Sequence, residues 1–166
     1  MLFIGIIAKR KSYECIKNEL INIDNNISVI NINLRNIENM KNIKFDIIII
    51  DEQINKFETK INNLIKICND SKYVIINTDF NKEYEELKSE SNYLITYGLN
   101  QKATITVSSI KDDEVLIYRQ KDYENRLKEK QDIEERRIKI KEKNKLKIYE
   151  IMIIYTVNSI FGKCII

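Results

Sequence analysis

The sequence contains no histidine, proline or tryptophan, and only three glycines and three cysteines among its 166 residues. Without histidine there is no imidazole to act as a general base, a proton shuttle or a metal ligand. Any catalysis must therefore use Asp, Glu, Lys, Tyr, Ser or Cys side chains. Isoleucine, asparagine and lysine dominate the sequence, a bias that indicates an A+T-rich bacterial genome.

The cysteines are odd in number, far apart and without a C-x-x-C pair. Cys15, Cys68 and Cys164 each lie within an apolar pattern, which favours buried free thiols in a reducing cytoplasm over zinc or nucleophile roles. The first eight residues are apolar, but they follow no basic region and run directly into Lys9-Arg10-Lys11. We therefore predict a first strand there rather than a signal peptide, and a cytoplasmic protein.

The fold class follows from apolar runs that alternate with helical patterns. Continuous apolar runs that end in polar residues predict strands buried on both faces, and alternating segments predict strands with one wetter face. Up to residue 110, these patterns predict six strands, at 2–7, 27–32, 45–50, 72–77, 93–96 and 103–110. Helical spacing predicts amphipathic helices after Ser12, which is expected to cap the first one, and from Phe57 to Cys68. We predict one α/β domain over residues 1–166, with a mostly parallel sheet and helices on both faces.

The second half changes character after Gly98. Little helix separates three strand-like segments, at 103–110, 114–120 and around 133–141. Residues 121–143 are charged enough for an exposed helix, but Ile133, Ile138 and Ile140 fit a helical stripe poorly. We therefore predict an antiparallel β extension, with 119–143 as a charged hairpin that protrudes from the sheet.

Charge is concentrated in one segment. Residues 119–147 carry twelve basic and seven acidic side chains, a net +5 in a chain whose total is +3. Because the two signs are interspersed and aromatics are few, a solvated surface ribbon is favoured over a nucleic-acid-binding or lipid-binding surface.

A helix that is apolar nearly all round is predicted over residues 148–161. Glu150, Asn158 and Lys163 fall inside the apolar span, and charges there are costly in lipid. Burial against the sheet or against a partner chain is therefore the favoured interpretation. The basic run just before the helix keeps a membrane tail anchor as the alternative.

Polar residues follow the predicted parallel strands, at the sheet edge where α/β proteins bind ligands. Lys9, Lys11 and Ser12 form a candidate phosphate site, because the start of a helix attracts anions. The alternative is a plain charged turn, since the loop lacks the glycines that let phosphate approach the backbone.

A candidate magnesium site lies at the ends of two further strands. Asp51, with Glu52 beside it, and Asp79 supply the carboxylate oxygens that Mg²⁺ prefers. Aspartates are equally common as turn formers and helix caps at strand ends, so this plainer interpretation stays open.

Three short stretches resemble the central ATPase domain of the Mur ligases, the ATP-dependent amide-forming enzymes of cell-wall precursor synthesis. They are Val74-Ile75-Ile76-Asn77-Thr78-Asp79, Leu94-Ile95-Thr96-Tyr97-Gly98 and Ala103-Thr104-Ile105-Thr106. In that family an Asn-x-Asp-Asp motif, a strand ending in Tyr-Gly or Phe-Gly and a β-rich lobe follow one another in this order. The resemblance implies a P-loop, Mur-ligase-like α/β fold with an antiparallel extension.

The sequence departs from this family at the motifs that carry catalysis. The family's phosphate loop, Gly-Thr-Asn-Gly-Lys-Thr/Ser, falls on residues 7–12, where only its ending survives as Lys11-Ser12. Its two adenine-binding asparagines fall on Lys147 and Glu150, and its second acid falls on Phe80. These departures imply a degenerate P-loop and a pseudoenzyme that has kept the scaffold without the ligation reaction.

Three hypotheses follow. The first is a cytoplasmic, non-catalytic Mur-ligase-like domain that needs no cofactor and binds another protein or a second copy of itself. Its expected surface is the final helix, with Tyr149, Met152, Tyr155 and Phe161. The second is a nucleotide-binding or phosphate-metabolite-binding protein, with Mg-ATP as ligand and weak ATPase or ligase-like activity. The third is a peripheral membrane protein held by the basic ribbon and the final helix; nucleic acid is not an expected partner.

Overall fold

The computed structural model describes residues 1–54, 60–111, 113–139 and 146–163. Three α-helices lie in these ranges, together with two 3-10 segments at Leu34–Met40 and Tyr84–Leu87: α1 (Arg10–Ile23), α2 (Ile61–Asn69) and α3 (Ile148–Ile160). The strands are β1 (Leu2–Ile7), β2 (Ile27–Asn31), β3 (Ile47–Ile50), β4 (Tyr73–Asn77), β5 (Tyr93–Tyr97), β6 (Ile105–Ile110), β7 (Glu114–Arg119), β8 (Tyr123–Glu124), β9 (Lys130–Gln131) and β10 (Glu134–Lys139).

One large mixed sheet organises the described part of the chain. Its strand order is β2-β1-β3-β4-β5-β6-β7-β10, and β8 pairs with β9 in a small separate sheet. The strands from β2 to β6 run parallel, whereas β7 is antiparallel to both of its neighbours. The order 2-1-3-4-5 of the first five strands is that of flavodoxin-like doubly wound sheets. The predicted α/β fold with a mostly parallel sheet is confirmed.

Helices cover both faces of the parallel half of the sheet. On one face α1 and α3 pack against side chains such as Ile4, Ile49 and Ile75. On the other face α2 and the two 3-10 segments pack against Ile48 and Ile50. Burial on both faces explains why these strands read as unbroken isoleucine runs instead of alternating patterns.

The first helix begins earlier than the sequence predicts. Its N-cap is Lys9, and Ser12 lies inside the first turn, so the predicted cap at Ser12 is wrong. The reason is that β1 ends at Ile7, which leaves only Ala8 and Lys9 to connect the strand to the helix. The predicted apolar face of the helix is confirmed at Tyr13, Ile16 and Leu20, which are buried.

The charged segment after β7 forms antiparallel strands, but it does not protrude from the sheet. β10 is an edge strand of the main sheet beside β7. Alternate side chains of β10 face α3: Glu134 forms an ion pair with the buried Arg119 at 3.0 Å, and Ile138 packs on the core. These inward contacts, which charge counting could not reveal, hold the strand in the sheet.

The β8–β9 hairpin also stays close to the core. The backbone N–H of Arg126, in its loop, donates to the Ile160 carbonyl at 3.0 Å, and the Arg126 guanidinium lies over the Phe161 ring. Residues 140–143 of the predicted hairpin, Phe57 and Cys164 lie outside the described residues. Cys68 is a buried free thiol, and burial raises its pKa to about 12, which leaves it unreactive at neutral pH.

The final helix is part of the core of its own chain. Met152, Tyr155 and Phe161 are only 0%, 1% and 8% exposed, and Tyr149 is half-buried. The predicted interaction surface is therefore wrong at Met152, Tyr155 and Phe161, because α3 already packs on α1 and the sheet, whereas at Tyr149 it stays a prediction. Among the helices of the described ranges, none has the length and apolar character needed to cross a membrane.

Candidate functional site

The topological switch point of the sheet lies between β1 and β3. β1 leads into α1 on one face, whereas β3 is followed by α2 on the other face, so the connections after the two strands diverge and leave a crevice. A cleft of about 280 Å³ lies beside this point; the ends of β1 and β2, with Ile7 and Ile32, form most of its lining, and Glu52 after β3 borders it. The fold therefore provides a concave site where α/β sheets bind ligands.

Three cationic side chains line this switch-point cleft. Lys9 and Arg10 lie at the start of α1, and Arg35 lies on the 3-10 segment that follows β2. All three are exposed, and none of them forms an ion pair with any residue that the structure describes. Among the residues that the structure describes, Glu52, after β3, is the one acidic residue of the lining. The cleft thus carries an excess of positive charge.

The first turn of α1 adds backbone donors to this charge. Lys9 provides no side-chain cap, and the first turn contains no acidic residue. The first helical hydrogen bond runs from the Tyr13 N–H to the Lys9 carbonyl at 2.9 Å. The N–H groups of Arg10, Lys11 and Ser12 therefore have no partner within the helix, and the helix dipole adds positive potential at this end.

The structure distributes the predicted phosphate residues unevenly. Lys9 lines the cleft, whereas Lys11 and Ser12 lie on the first turn of α1 outside its lining. Sequence reasoning missed Arg10 and Arg35. Arg10 stood between the two selected lysines, and Arg35 follows the second predicted strand, whose carboxyl end lies at the same sheet edge; that placement was the available signal.

A second polar cluster lies along the same edge, where β3, β4 and β5 end. Asp51 accepts hydrogen bonds from the Tyr97 hydroxyl at 2.6 Å and from Asn77 Nδ2 at 3.0 Å. Burial raises the pKa of Asp51, and the hydrogen bonds from Tyr97 and Asn77 partly oppose that rise. Burial, together with the charge of Asp51, raises the pKa of Tyr97 well above its usual value, so Tyr97 is a neutral donor.

Asp79 connects three parts of the chain. Its carboxylate accepts from the Leu99 N–H at 2.6 Å, from Asn100 Nδ2 at 2.8 Å and from the Tyr149 hydroxyl at 3.0 Å. Tyr149 lies in the first turn of α3, and its ring contacts the Tyr97 ring edge-on. The cluster therefore fixes the start of α3 to the loops after β4 and β5.

The predicted magnesium ligands, Asp51 and Asp79, both lie in this cluster. Their oxygens already accept hydrogen bonds from amides and tyrosine hydroxyls. Over 1–54, 60–111, 113–139 and 146–163, no three Cys, Asp or Glu side chains are positioned to hold a metal ion. The magnesium site stays a prediction.

Fold and site together define a doubly wound α/β protein with a cationic cleft at its topological switch point. No protein-family model matches the sequence, and no curated protein matches it. The chemistry of the cleft is therefore what bears on function, because a fold of this class serves many activities.

Proposed function

We propose that this chain binds a small phosphorylated molecule in the switch-point cleft. The observation that carries the proposal is the convergence of Lys9, Arg10 and Arg35 on one cleft, with no ion-pair partner for any of them among the described residues. A guanidinium binds phosphate oxygens in a bidentate fork, and an ammonium adds a point charge. The free N–H groups of the first turn of α1 supply further donors.

The dimensions of the cleft limit the ligand. At about 280 Å³ it lies at the small end of small-molecule sites, which span roughly 300–1,000 Å³. Ile7 and Ile32 give it an apolar component, suited to a compact organic body attached to the phosphate. A mononucleotide or a phosphorylated metabolite matches this combination better than a dinucleotide does.

The Mur-ligase-like hypothesis stays a proposal. In its favour, two of the three stretches that carry the resemblance meet in space: the Thr78 N–H donates to the Tyr97 carbonyl at 2.9 Å, and Asp79 accepts a hydrogen bond from the Leu99 N–H in the loop after Gly98. A non-catalytic interaction domain needs a contact surface other than α3, since that helix is buried. Mg-ATP belongs to the same ligand class as the proposed phosphate compound and is tested with it.

Calorimetric titration and thermal shift test the proposal with inorganic phosphate, pyrophosphate, AMP and Mg-ATP as probes. We expect at least one probe to stabilise the protein. Arg10→Ala and Arg35→Ala should each weaken that probe about tenfold, which corresponds to about 1.4 kcal/mol. Lys44→Ala is the matched control, because Lys44 is exposed and lies before β3, at the opposite edge of the sheet.

The results separate the alternatives. If no probe stabilises the protein, or if both arginine variants bind as tightly as the parent chain, the phosphate site is refuted. If Mg-ATP binds but Asp51→Asn and Asp79→Asn weaken it more than the arginine variants do, the magnesium cluster is the site instead. A uniform loss across all variants, Lys44→Ala included, indicates non-specific attraction and also refutes the proposal.

A further inference from the structure

The two edges of the large sheet differ sharply in character. At one edge, five of the six side chains of β10 are charged: Glu134, Glu135, Arg136, Arg137 and Lys139. At the other edge, β2 reads Ile-Ser-Val-Ile-Asn, without a charged residue. Its register against β1 is continuous, so no bulge turns it away. Charges and bulges are the usual devices that keep a sheet edge from pairing with another chain, and β2 has neither.

The outward backbone groups of β2 belong to its odd-numbered residues. The Asn26 carbonyl and the Ile32 N–H bond to β1, which fixes the even-numbered residues as the inward set. The N–H groups of Val29 and Asn31 and the carbonyl of Ile27 therefore point away from the sheet. The Val29 carbonyl points the same way and accepts a hydrogen bond from the Tyr13 hydroxyl at 3.4 Å, which leaves it a second lone pair. In the described part of the chain, the other three groups have no hydrogen-bond partner, so the edge offers donors and acceptors to another strand.

We propose that two copies of this chain pair antiparallel through β2 and join their sheets across a twofold axis at Val29. In that register, the N–H of Val29 donates to the carbonyl of the partner's Val29, and the reverse bond forms by symmetry. The N–H of Asn31 donates to the carbonyl of the partner's Ile27. The free N–H and carbonyl groups therefore match one another in a self-complementary way.

Side chains beside the edge support a second copy as the occupant. Val29 and Ile30 are half-buried, on opposite faces of β2. The Tyr13 hydroxyl reaches Val29, and the Lys17 ammonium lies over the Tyr13 ring, so this side of α1 is next to the edge. Ile21 follows Lys17 by one turn and is 38% exposed. The same apolar residues from a second copy would cover Val29, Ile30 and Ile21, and the twofold axis limits the assembly to a dimer.

Sedimentation velocity and light scattering across a broad concentration range test the dimer. We expect the parent chain to double in mass as its concentration rises. Asn31→Pro removes an outward donor without a bond to β1, so it should abolish the dimer while the monomer stays folded. Asn31→Ser is its matched control, because it keeps the N–H group and should still form the dimer. Val29→Lys, which places two ammonium groups opposite each other, should also give monomers.

Circular dichroism and a thermal melt of each variant show that the monomer has kept its fold, and Val29→Thr controls for the loss of packing at position 29. A parent chain that is monomeric at every concentration overturns the proposal. So does a dimer that survives both Asn31→Pro and Val29→Lys. Asn31 also lines the phosphate cleft, so phosphate binding is compared in Val29→Lys, whose position lies outside the cleft lining, and the two proposals then fail independently.

Discussion

The Tyr97 hydroxyl lies 2.6 Å from Asp51 Oδ1, and the two side chains meet where β5 and β3 end. Tyr97 is fully buried, and burial raises the pKa of Asp51. The hydrogen bond therefore stabilises a carboxylate that its surroundings penalise, and the stability of the fold depends on how this carboxyl group titrates.

We expect Asp51→Asn to remove a fall in stability with rising pH. The pKa of Asp51 is raised in the folded chain above the ordinary value of 3.8, so its stabilising contribution is fully present below that value. The contribution is lost as the pH rises through the folded pKa, because the buried carboxylate then carries charge. Urea unfolding between pH 3.8 and neutrality should show this fall in the parent chain and not in Asp51→Asn. Asp70→Asn, at an exposed position, should behave like the parent; an unchanged profile in Asp51→Asn contradicts the prediction.

Two tyrosines should resist ionisation while the chain is folded. Burial raises the pKa of Tyr73 to about 12, and burial with the hydrogen bond to Asp79 raises that of Tyr149 to about 12. Their contribution to stability is present below pH 10 and is lost as the pH rises through about 12. Phenolate absorbance against pH should show a late step that is smaller in Tyr149→Phe. Chain unfolded in urea is the control, and one single early step in the folded chain would refute the assignment.

Arg119→Ala should be strongly destabilising. The Arg119 side chain donates to the Tyr155 hydroxyl and to Ser159 Oγ, both at 2.9 Å, and pairs with Glu134 at 3.0 Å. Removing a buried cation from such a network costs about 3 kcal/mol, at the low end of the range because Glu134 is partly exposed. Urea denaturation measures the free energy of unfolding.

Arg136→Ala is the matched control, because Arg136 contacts the same Glu134 at 3.7 Å but on the surface. It should cost less than about 1 kcal/mol. Equal losses in the two variants would show that the buried network contributes no more than a surface ion pair.

Gly5→Ala should destabilise the sheet by overpacking. A Cβ atom at position 5 would lie 2.5 Å from Ile32 Cδ1 and 2.8 Å from Ile48 Cδ1. Extra volume in a packed core costs about 1–3 kcal/mol. Adding Ile32→Val removes the nearest methyl group and should recover part of the loss in a double-mutant cycle. A neutral Gly5→Ala, or no recovery in the double variant, contradicts this account.

The parallel half of the fold could be predicted from the sequence because burial on both faces leaves a direct trace. The four consecutive isoleucines of β3 are β-branched and apolar on both faces, as a doubly buried strand requires, and the helical spacing of Tyr13, Ile16 and Leu20 marks one face of α1. β10 left no such trace. Its inward residue Glu134 contacts Arg119 and Tyr155 on other elements of the chain, so the segment looked like a solvated ribbon.

The sequence predicts where the candidate site lies, but it does not predict which side chains line it. The carboxyl ends of strands were the right region, because parallel strands bring them to one edge. Which side chains line the cleft depends on the strand order, since β2 lies beside β1 and thereby brings Arg35 next to Lys9. The final helix, α3, is apolar nearly all round, and the sequence pattern is the same whether such a helix covers its own sheet or a partner chain. Only the packing in the structure shows that α3 lies in the core of its own chain.

The position of α3 has a consequence for how the chain is made. One face of the parallel sheet, with Ile4, Ile49 and Ile75, is closed by α1 together with α3. During translation that face is complete only after residues 148–160 have left the ribosome. Until then the nascent protein exposes the apolar side chains of that sheet face, and chaperones bind chains in this condition. We therefore expect a chain truncated before α3 to aggregate instead of folding as a smaller domain.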